Sequence, residues 1–522
     1  ELTDLALELV EKRIQQKALV SLEGEVHTKE NTDVAAMQEY ETLKRYHQEA
    51  KEGFAWLPSR YEIHKRIMAA LSNGRFPLLV GEPGTGKSEQ ANAVAKELTG
   101  VECVKAPCTQ SSGEHDLLFS KEVEGGASYL KYGYVAKAFT GYDNSTDTAP
   151  KYKHGRIVRL DEFLKINFDK TFGLIKDIAQ KKSGKMMHEN VPHPVLEGST
   201  IIATTNPDGV RHQLNKMLPA LEREFAEIQV DYLPMEENNP ELYEFMLATL
   251  MDDNGHIAVP RSELAPAYAK NDAVGRKTKD GSKEIVSTFE LVGKRNDPSH
   301  GVLYRLAFAI KAIQDSYTAG NPDVLSQYEN RLLRCDSVTK EIKDQGEVLT
   351  LGSSTLTLKE VSSWMKGFHS RLEKADKDMH TASLGEWLNY KANVFVSQCP
   401  EEDQVKLQAI FKYFGILDPI SPTKEDLPMT NLDIGYLSPR VPRPIIFKEE
   451  EKHKNEGITR KEGEVGVPDK PNLDTITPVT ENEDQIHVFQ KGFGLEVAGS
   501  TYKYEIGCNQ SLRYMRKEYT FV

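Results

Sequence analysis

The chain has 522 residues, a formal net charge of −13 and 28% charged residues, enough length for two to four domains with a sizeable core. No apolar run reaches the roughly 18 residues of a membrane span, and no apolar signal core lies near the start. The acidic balance argues mildly against a nucleic-acid track, which needs clustered Lys and Arg, while leaving room for a local basic pore.

Five cysteines, Cys103, Cys108, Cys335, Cys399 and Cys508, are scattered without a C-x-x-C pair and read as free thiols in a reducing cytoplasm. Residues 1–54 read as a charged N-terminal helical arm. Its first stripe is Leu2, Leu5, Leu9 and Val10; its second helix, about Asp33 to Glu52, carries Met37, Tyr40, Leu43 and Tyr46. The arm is expected to pack on the next domain or on a neighbouring subunit. Pro58–Leu71 follows as a helix with Ile63, Ile67, Met68 and Leu71 on one side.

Phe76-Pro77-Leu78-Leu79-Val80 then reads as a buried strand, and Glu89–Leu98 as a helix. Between them stands Gly81-Glu82-Pro83-Gly84-Thr85-Gly86-Lys87-Ser88, which fits G-x-x-x-x-G-K-[ST] at every fixed position. Gly81, Gly84 and Gly86 let backbone N–H groups close around phosphates, and the following helix, with Glu89 in its first turn, adds its dipole. Lys87 is placed for the β- and γ-phosphates, and the Ser88 hydroxyl for Mg²⁺. The alternative, a Gly-rich turn over a buried lysine stem, leaves the spacing unexplained.

Strands and helices alternate from there to about Leu233, which predicts a parallel sheet covered on both faces. Glu122–Tyr134 reads as a hairpin bent at Gly125-Gly126, and Lys182–Val195 is a second insert. His188 and His193 in that insert have no acidic cluster beside them, and no metal site is expected there. Ile157-Val158-Arg159-Leu160-Asp161-Glu162 ends a buried strand in two carboxylates. Asp161 suits Mg²⁺, and Glu162 suits polarising the attacking water. Arg159 is unexpected, because a buried strand rarely keeps a guanidinium without a partner. Ile201–Pro207 is another buried strand; Asn206 at its end can orient the water, although Asn206-Pro207-Asp208-Gly209 is also simply a good turn.

Phosphate loop, IVRLDEF and IIATTNP, in this order, resemble the AAA+ ATPases, in the flavour of their MoxR and dynein-related (midasin-like) branch. Ser112–Leu117, Lys131–Val135 and Leu218–Ile228 carry the likeness further, over roughly residues 55–320. The resemblance implies an α/β nucleotide-binding domain at 55–233 and a helical lid at 234–320. It implies ATP and Mg²⁺ as cofactors, and a homo-oligomeric ring of six subunits. It also implies a protein client or adaptor, with the two inserts facing a pore and Tyr129, Tyr132, Met186 or Met187 gripping polypeptide or else packing the hairpins. In that family an arginine reaches the neighbour's γ-phosphate. The usual Ala-Leu-x-x-Arg-Phe is shifted here, leaving Arg223 one position early and Arg211 as its competitor. A second sensor arginine would be Arg305, with Arg295 as the alternative. Two other functions stay open: an McrB-like nucleoside triphosphatase acting on nucleic acid, and a nucleotide-switched assembly scaffold.

Beyond the resemblance, 321–420 reads as mostly helical, with a charged helix at Gln327–Gly346 and a hairpin at Glu347–Leu356. Lys359–Leu372 and Leu384–Phe414 read as helices. Residues 421–484 read as a Pro- and charge-rich linker, and 485–522 as a small β region. The fold class expected is thus an α/β P-loop domain with a helical lid, an N-terminal arm and a mixed α+β C-terminal region.

Overall fold

Three short runs, Phe76–Val80, Ile157–Asp161 and Thr200–Thr205, are buried along nearly their whole length and pair with two neighbours each, while the more polar Val104–Pro107 and Phe225–Gln229 form the half-exposed edges of the same sheet. The computed structural model describes residues 29–168, 184–189, 191–207, 214–217, 219–277, 283–374, 383–418, 429–442, 446–447, 494–497 and 500–503. In chain order come α1 (Lys29–Lys51), α2 (Pro58–Ser72), β1 (Phe76–Val80), α3 (Lys87–Thr99) and β2 (Val104–Pro107). The hairpin β3 (Phe119–Glu124) and β4 (Ala127–Tyr132) precedes α4 (Tyr134–Thr140) and β5 (Ile157–Asp161). A second hairpin, β6 (Lys185–His188) and β7 (Val191–Pro194), leads to β8 (Thr200–Thr205) and β9 (Phe225–Gln229).

The sheet order is β2-β5-β8-β1-β9, with every pairing parallel. Pro77 is tolerated in the strand beside β8 for a reason of register. The Phe76 N–H goes to the Glu224 carbonyl on the β9 side, so the N–H that Pro77 lacks faces β8, whose pairing begins only at Leu78. Side chains alternate between two cores. Leu78, Val80, Val158, Leu160, Ile201 and Ala203 pack with α4, while Leu79, Ile157, Ile202 and Ile228 pack with α2 and α3.

The rest of the unit that ends at Phe447 is a helical body with a core of its own. It contains α5 (Glu241–Leu250), the antiparallel pair β10 (Tyr268–Lys277) and β11 (Lys283–Leu291), and α6 (Val302–Thr318). Then come α7 (Leu358–Lys374), α8 (Leu384–Gln398) and α9 (Glu401–Tyr413). Tyr40, Leu43 and Tyr46 of α1 belong to this same core, so the described part of the N-terminal arm is a piece of the helical body. The lid and the following region are likewise continuous: Leu247, Tyr304, Trp364, Leu388 and Phe411 share one cluster. In the other unit, Lys448–Val522, residues Gly494–Val497 and Ser500–Lys503 form an antiparallel hairpin.

Three expectations are corrected. Gln327–Gly346 is not a helix. After a single turn at Leu325–Tyr328 it forms a small sheet of Arg334–Cys335, Ile342–Lys343 and Glu347–Val348. The Asp336 carboxylate accepts the backbone N–H groups of Val338 and Thr339, which turns the chain instead of letting a helix propagate. Nor is Glu347–Leu356 a hairpin: the Asp403 carboxylate gathers the N–H groups of Gly352, Ser353 and Ser354 into a turn. Residues 429–442 are folded rather than linker. Thr430 and Asp433 make a capping box, and the short helix Asn431–Gly435 lies on α1 so closely that a Cβ at Gly435 would meet the Ala36 carbonyl oxygen at 1.7 Å.

This last segment also closes a buried charge cluster. Ser438 Oγ and Arg440 Nε donate to Glu244 Oε1 at 2.9 and 2.6 Å, and Glu39 of α1 reaches the same place with a buried, unpaired Oε1. Burial, then the Glu244 carboxylate, push the Glu39 carboxyl up to about 8. The folded chain therefore holds a proton that the unfolded chain releases, so this group's contribution to stability falls as pH rises from about 4.5 through about 8. Glu39→Gln is expected to raise the urea midpoint at pH 8–9 and to leave it nearly unchanged near pH 5, measured by equilibrium unfolding of the full chain.

Candidate functional site

The strand order alone brings the site together. β5, β8 and β1 are neighbours and run the same way, so Asp161, Asn206 and Gly81 leave the sheet at one carboxyl edge. The loop after β1 is tight. Gly84 and Gly86 take φ of +79° and +89°, a region that favours glycine, and Gly86 is the residue before the first turn of α3. At Gly81 a Cβ would stand 2.1 Å from the Val230 carbonyl oxygen, so no other residue fits.

Lys87 folds back over the loop it follows. Its Nζ donates to the carbonyls of Gly81 at 2.6 Å and Glu82 at 2.9 Å, and to Asn206 Oδ1 at 3.3 Å. Burial pushes the ammonium down to about 8, against the opposing pull of Glu82, Glu89, Glu162 and Asp161. Ser88 Oγ lies 3.4 Å from Asp161 Oδ1, and Thr204 Oγ1 donates to the same oxygen at 3.1 Å. Hydroxyl and carboxylate oxygens converging in this way are hard donors, so the residues present fit Mg²⁺. Glu162 sits just past the strand with φ +59°, an uncommon conformation for glutamate, and its carboxylate is held by Lys165. Thr85 Oγ1 donates to the Glu82 carbonyl and stiffens the turn.

Sequence reasoning did not anticipate that the helical body reaches this loop. Tyr232, just beyond β9, donates from its hydroxyl to the Pro83 carbonyl at 2.8 Å and lies 3.2 Å from Thr355 Oγ1. A Cβ on Gly84 would meet Thr357 Cγ2 at 2.3 Å. Thr355 and Thr357 are carried by the turn that Asp403 organises. Burial alone would raise the Asp403 carboxyl, but the N–H groups of Gly352, Ser353 and Ser354 hold it below the usual carboxylate range. The contact joins residues more than 270 positions apart, and nothing local in the sequence signals it.

The arginines are spread out. The Arg223 side chain is exposed beside β9, and its carbonyl accepts from Arg75 Nε at 3.1 Å; Arg75 also binds the carbonyls of Glu222 and Phe225. Arg211 lies outside the described residues. Arg305 is buried, with Nε on the His300 carbonyl and Nη1 on those of Phe414 and Gly415, so its guanidinium ties α6 to the turn after α9. Arg295 stands over the Phe308 ring at 5.1 Å.

In the two inserts Tyr132 and Met186 are buried, which removes them as gripping residues; they pack the hairpins instead. The Phe119 ring lies 4.8 Å from both His188 and His193, and Tyr132 Oη pairs with His193 Nδ1 at 3.0 Å. Met187 remains exposed, and Tyr129 is half-buried with its hydroxyl on Glu122. Among the described residues no group of three His, Cys, Asp or Glu side chains could hold a metal, and no helix is long and apolar enough to cross a membrane.

Residues 77–225 match the AAA domains of the dynein-related subfamily. The uncharacterized protein YehL of Escherichia coli (strain K12) is 30% identical over 174 residues, covering 31% of this chain and 42% of YehL. The chain thus spans less than half the length of that curated relative. Among solved structures, an ATPase candidate of Cytophaga hutchinsonii aligns at 16% identity and TM-score 0.27 over 40% of this chain and 55% of that one. NtrX of Brucella abortus, in complex with ADP, aligns at 14% and 0.26 over 40% and 44%. Likeness at those scores carries no argument about this chain.

Tyr232→Phe removes the donor that holds the Pro83 carbonyl without disturbing the apolar ring. It is expected to weaken nucleotide binding by about threefold to tenfold, the worth of one such hydrogen bond, read by titration with a fluorescent nucleotide analogue.

Proposed function

Because residues 77–225 belong to the dynein-related AAA+ domains, we propose that the chain is an ATP-hydrolysing, ring-forming machine of the MoxR-like type that remodels or assembles a protein partner. One observation carries the reading: Lys87, Ser88, Asp161 and Asn206 meet at the carboxyl edge of the sheet, with Glu162 one residue beyond. ATP is the substrate. The loop Gly81–Ser88, with Glu89 opening the helix, takes its phosphates, and Lys87 moves from the Gly81 and Glu82 carbonyls to the β- and γ-phosphates. Mg²⁺, held by Ser88 and Asp161, would neutralise charge on the phosphates.

Glu162 accepts a proton from the attacking water, once released from Lys165, and Asn206 orients that water. Arg223, exposed at the end of the sheet, is suited to enter the site of an adjacent subunit and stabilise the transition state. Arg305 already spends its donors on three backbone carbonyls, and we assign it to anchoring α6. The contact of Tyr232 and Thr357 with the loop offers a route by which occupancy of the site moves the helical body.

A protein client is favoured over nucleic acid on one observation. Lys121 and Lys131 on the first hairpin are already paired with Glu189 and Glu122, so these cations form no open phosphate track. Stimulation of turnover by DNA, with steep salt dependence, would reverse that preference.

Lys87→Ala is expected to abolish nucleotide binding. Glu162→Gln should bind ATP and assemble, while phosphate release falls about a hundredfold or more. Arg223→Ala should lose turnover and keep binding within each subunit; a silent Arg223→Ala beside an inactive Arg211→Ala would move the role to Arg211. Mass photometry of Glu162→Gln with ATP checks the ring, and a chain that stays monomeric would overturn it.

A further inference from the structure

The chemistry outlined for the site makes no use of Arg159, yet its guanidinium is the nearest partner of the carboxylate assigned to the divalent ion. Arg159 lies two residues before Asp161 on β5, so both side chains leave the same face of the strand. Nε donates to Asp161 Oδ1 at 2.7 Å and Nη2 to Oδ2 at 2.9 Å, a two-pronged fork. Nη1 donates to the Ser88 carbonyl at 3.0 Å. One guanidinium thus grips both residues assigned to the ion. The Arg159 side chain is 8% exposed and that of Asp161 15%. Lys105, itself largely exposed, places Nζ 3.7 Å from Oδ2, while the hydroxyls of Thr204 and Ser88 share Oδ1.

Each carboxylate oxygen therefore already faces a protein cation. The fork places a full positive charge beside both carboxylate oxygens. A divalent ion arriving alone would have to displace a buried fork and share the pocket with its positive charge. The repulsion is strong where water is scarce. A triphosphate changes the balance, because it brings several negative charges into the same pocket and offers the ion its own oxygens.

We propose that Arg159 is a positioning residue that holds Asp161 in a protein ion pair, so that the divalent ion enters only together with the triphosphate. The proposal rests on the reading of the site as a metal–nucleotide pocket. It makes this site blind to free divalent cations and couples metal uptake there to nucleotide arrival. The same fork, through Ser88, keeps the first turn of α3 in register with the end of β5.

The test uses the full chain and Mn²⁺ as the probe, followed by electron paramagnetic resonance. Wild type should leave Mn²⁺ free without nucleotide and take it up once a non-hydrolysable ATP analogue is added. Arg159→Met keeps the aliphatic stem and removes the charge. It should bind Mn²⁺ without nucleotide, and its half-saturating Mn²⁺ with the analogue should fall by about tenfold, because one positive charge beside the ion is gone. Arg159→Lys, which keeps the charge, should again need nucleotide for metal. A variant that is merely damaged would need more metal, so the direction separates the two cases. Uptake of Mn²⁺ by wild type alone, or an unchanged or higher requirement in Arg159→Met, overturns the proposal. Should Arg159→Met fail to fold, Arg159→Gln serves the same comparison, and the wild-type arm stands without either. Binding of a fluorescent nucleotide to wild type in excess Mg²⁺ is measured in parallel. If that binding is absent, the nucleotide reading itself fails; if it is present, a contrary metal result condemns Arg159 alone.

Discussion

The ammonium of Lys87 bonds to the carbonyls of Gly81 and Glu82 and to the Asn206 side chain, and the carboxyl edge of the sheet is built around it. A half-buried cation must be surrounded by oxygens. Here they come from the end of β1 and the end of β8, so the ion holds two strand ends and one helix start together. Phosphate oxygens are chemically equivalent replacements for the carbonyls.

Asp161 faces the opposite situation. It is an anion in a crowded place, satisfied by Arg159 and by two hydroxyls. Lys87 waits for negative charge, while Asp161 is already neutralised. The two halves of the site are therefore unequal: Lys87 lies among neutral oxygens, and Asp161 is matched by a cation of the protein.

The helical body is more than a cover. Its core runs from Tyr40 through Leu437, and the Thr355–Thr357 segment touches Pro83 and Gly84 through Tyr232 and a methyl group. Glu241, at the start of α5, also accepts the backbone N–H and the hydroxyl of Ser59 at the start of α2. The body is thus tied to the sheet at two places, the phosphate loop and α2.

Local patterns sufficed for the elements whose signal is carried by neighbours in the chain. Phe76–Val80, the glycine spacing of the loop, the hairpin at Gly125-Gly126 and the helices at Pro58, Leu358 and Leu384 all declare themselves within a few residues. The sequence names Lys87, Ser88, Asp161 and Asn206 as candidates from their motifs and strand ends, and strand order brings their side chains together. Only the tertiary structure decided the rest. Asp336 turns a charged stretch into part of a small sheet, and Asp403 turns an apparent hairpin into a tight turn, both by capturing backbone N–H groups, a side-chain effect that periodicity does not see. Arg305 looked like a candidate for phosphate until Phe414 and Gly415 supplied it with carbonyls from more than a hundred residues away. Arg159 looked misplaced until Asp161 and Ser88 closed on it. A charged side chain is defined by the partner it finds, and here those partners are set by strand order and by the meeting of two cores.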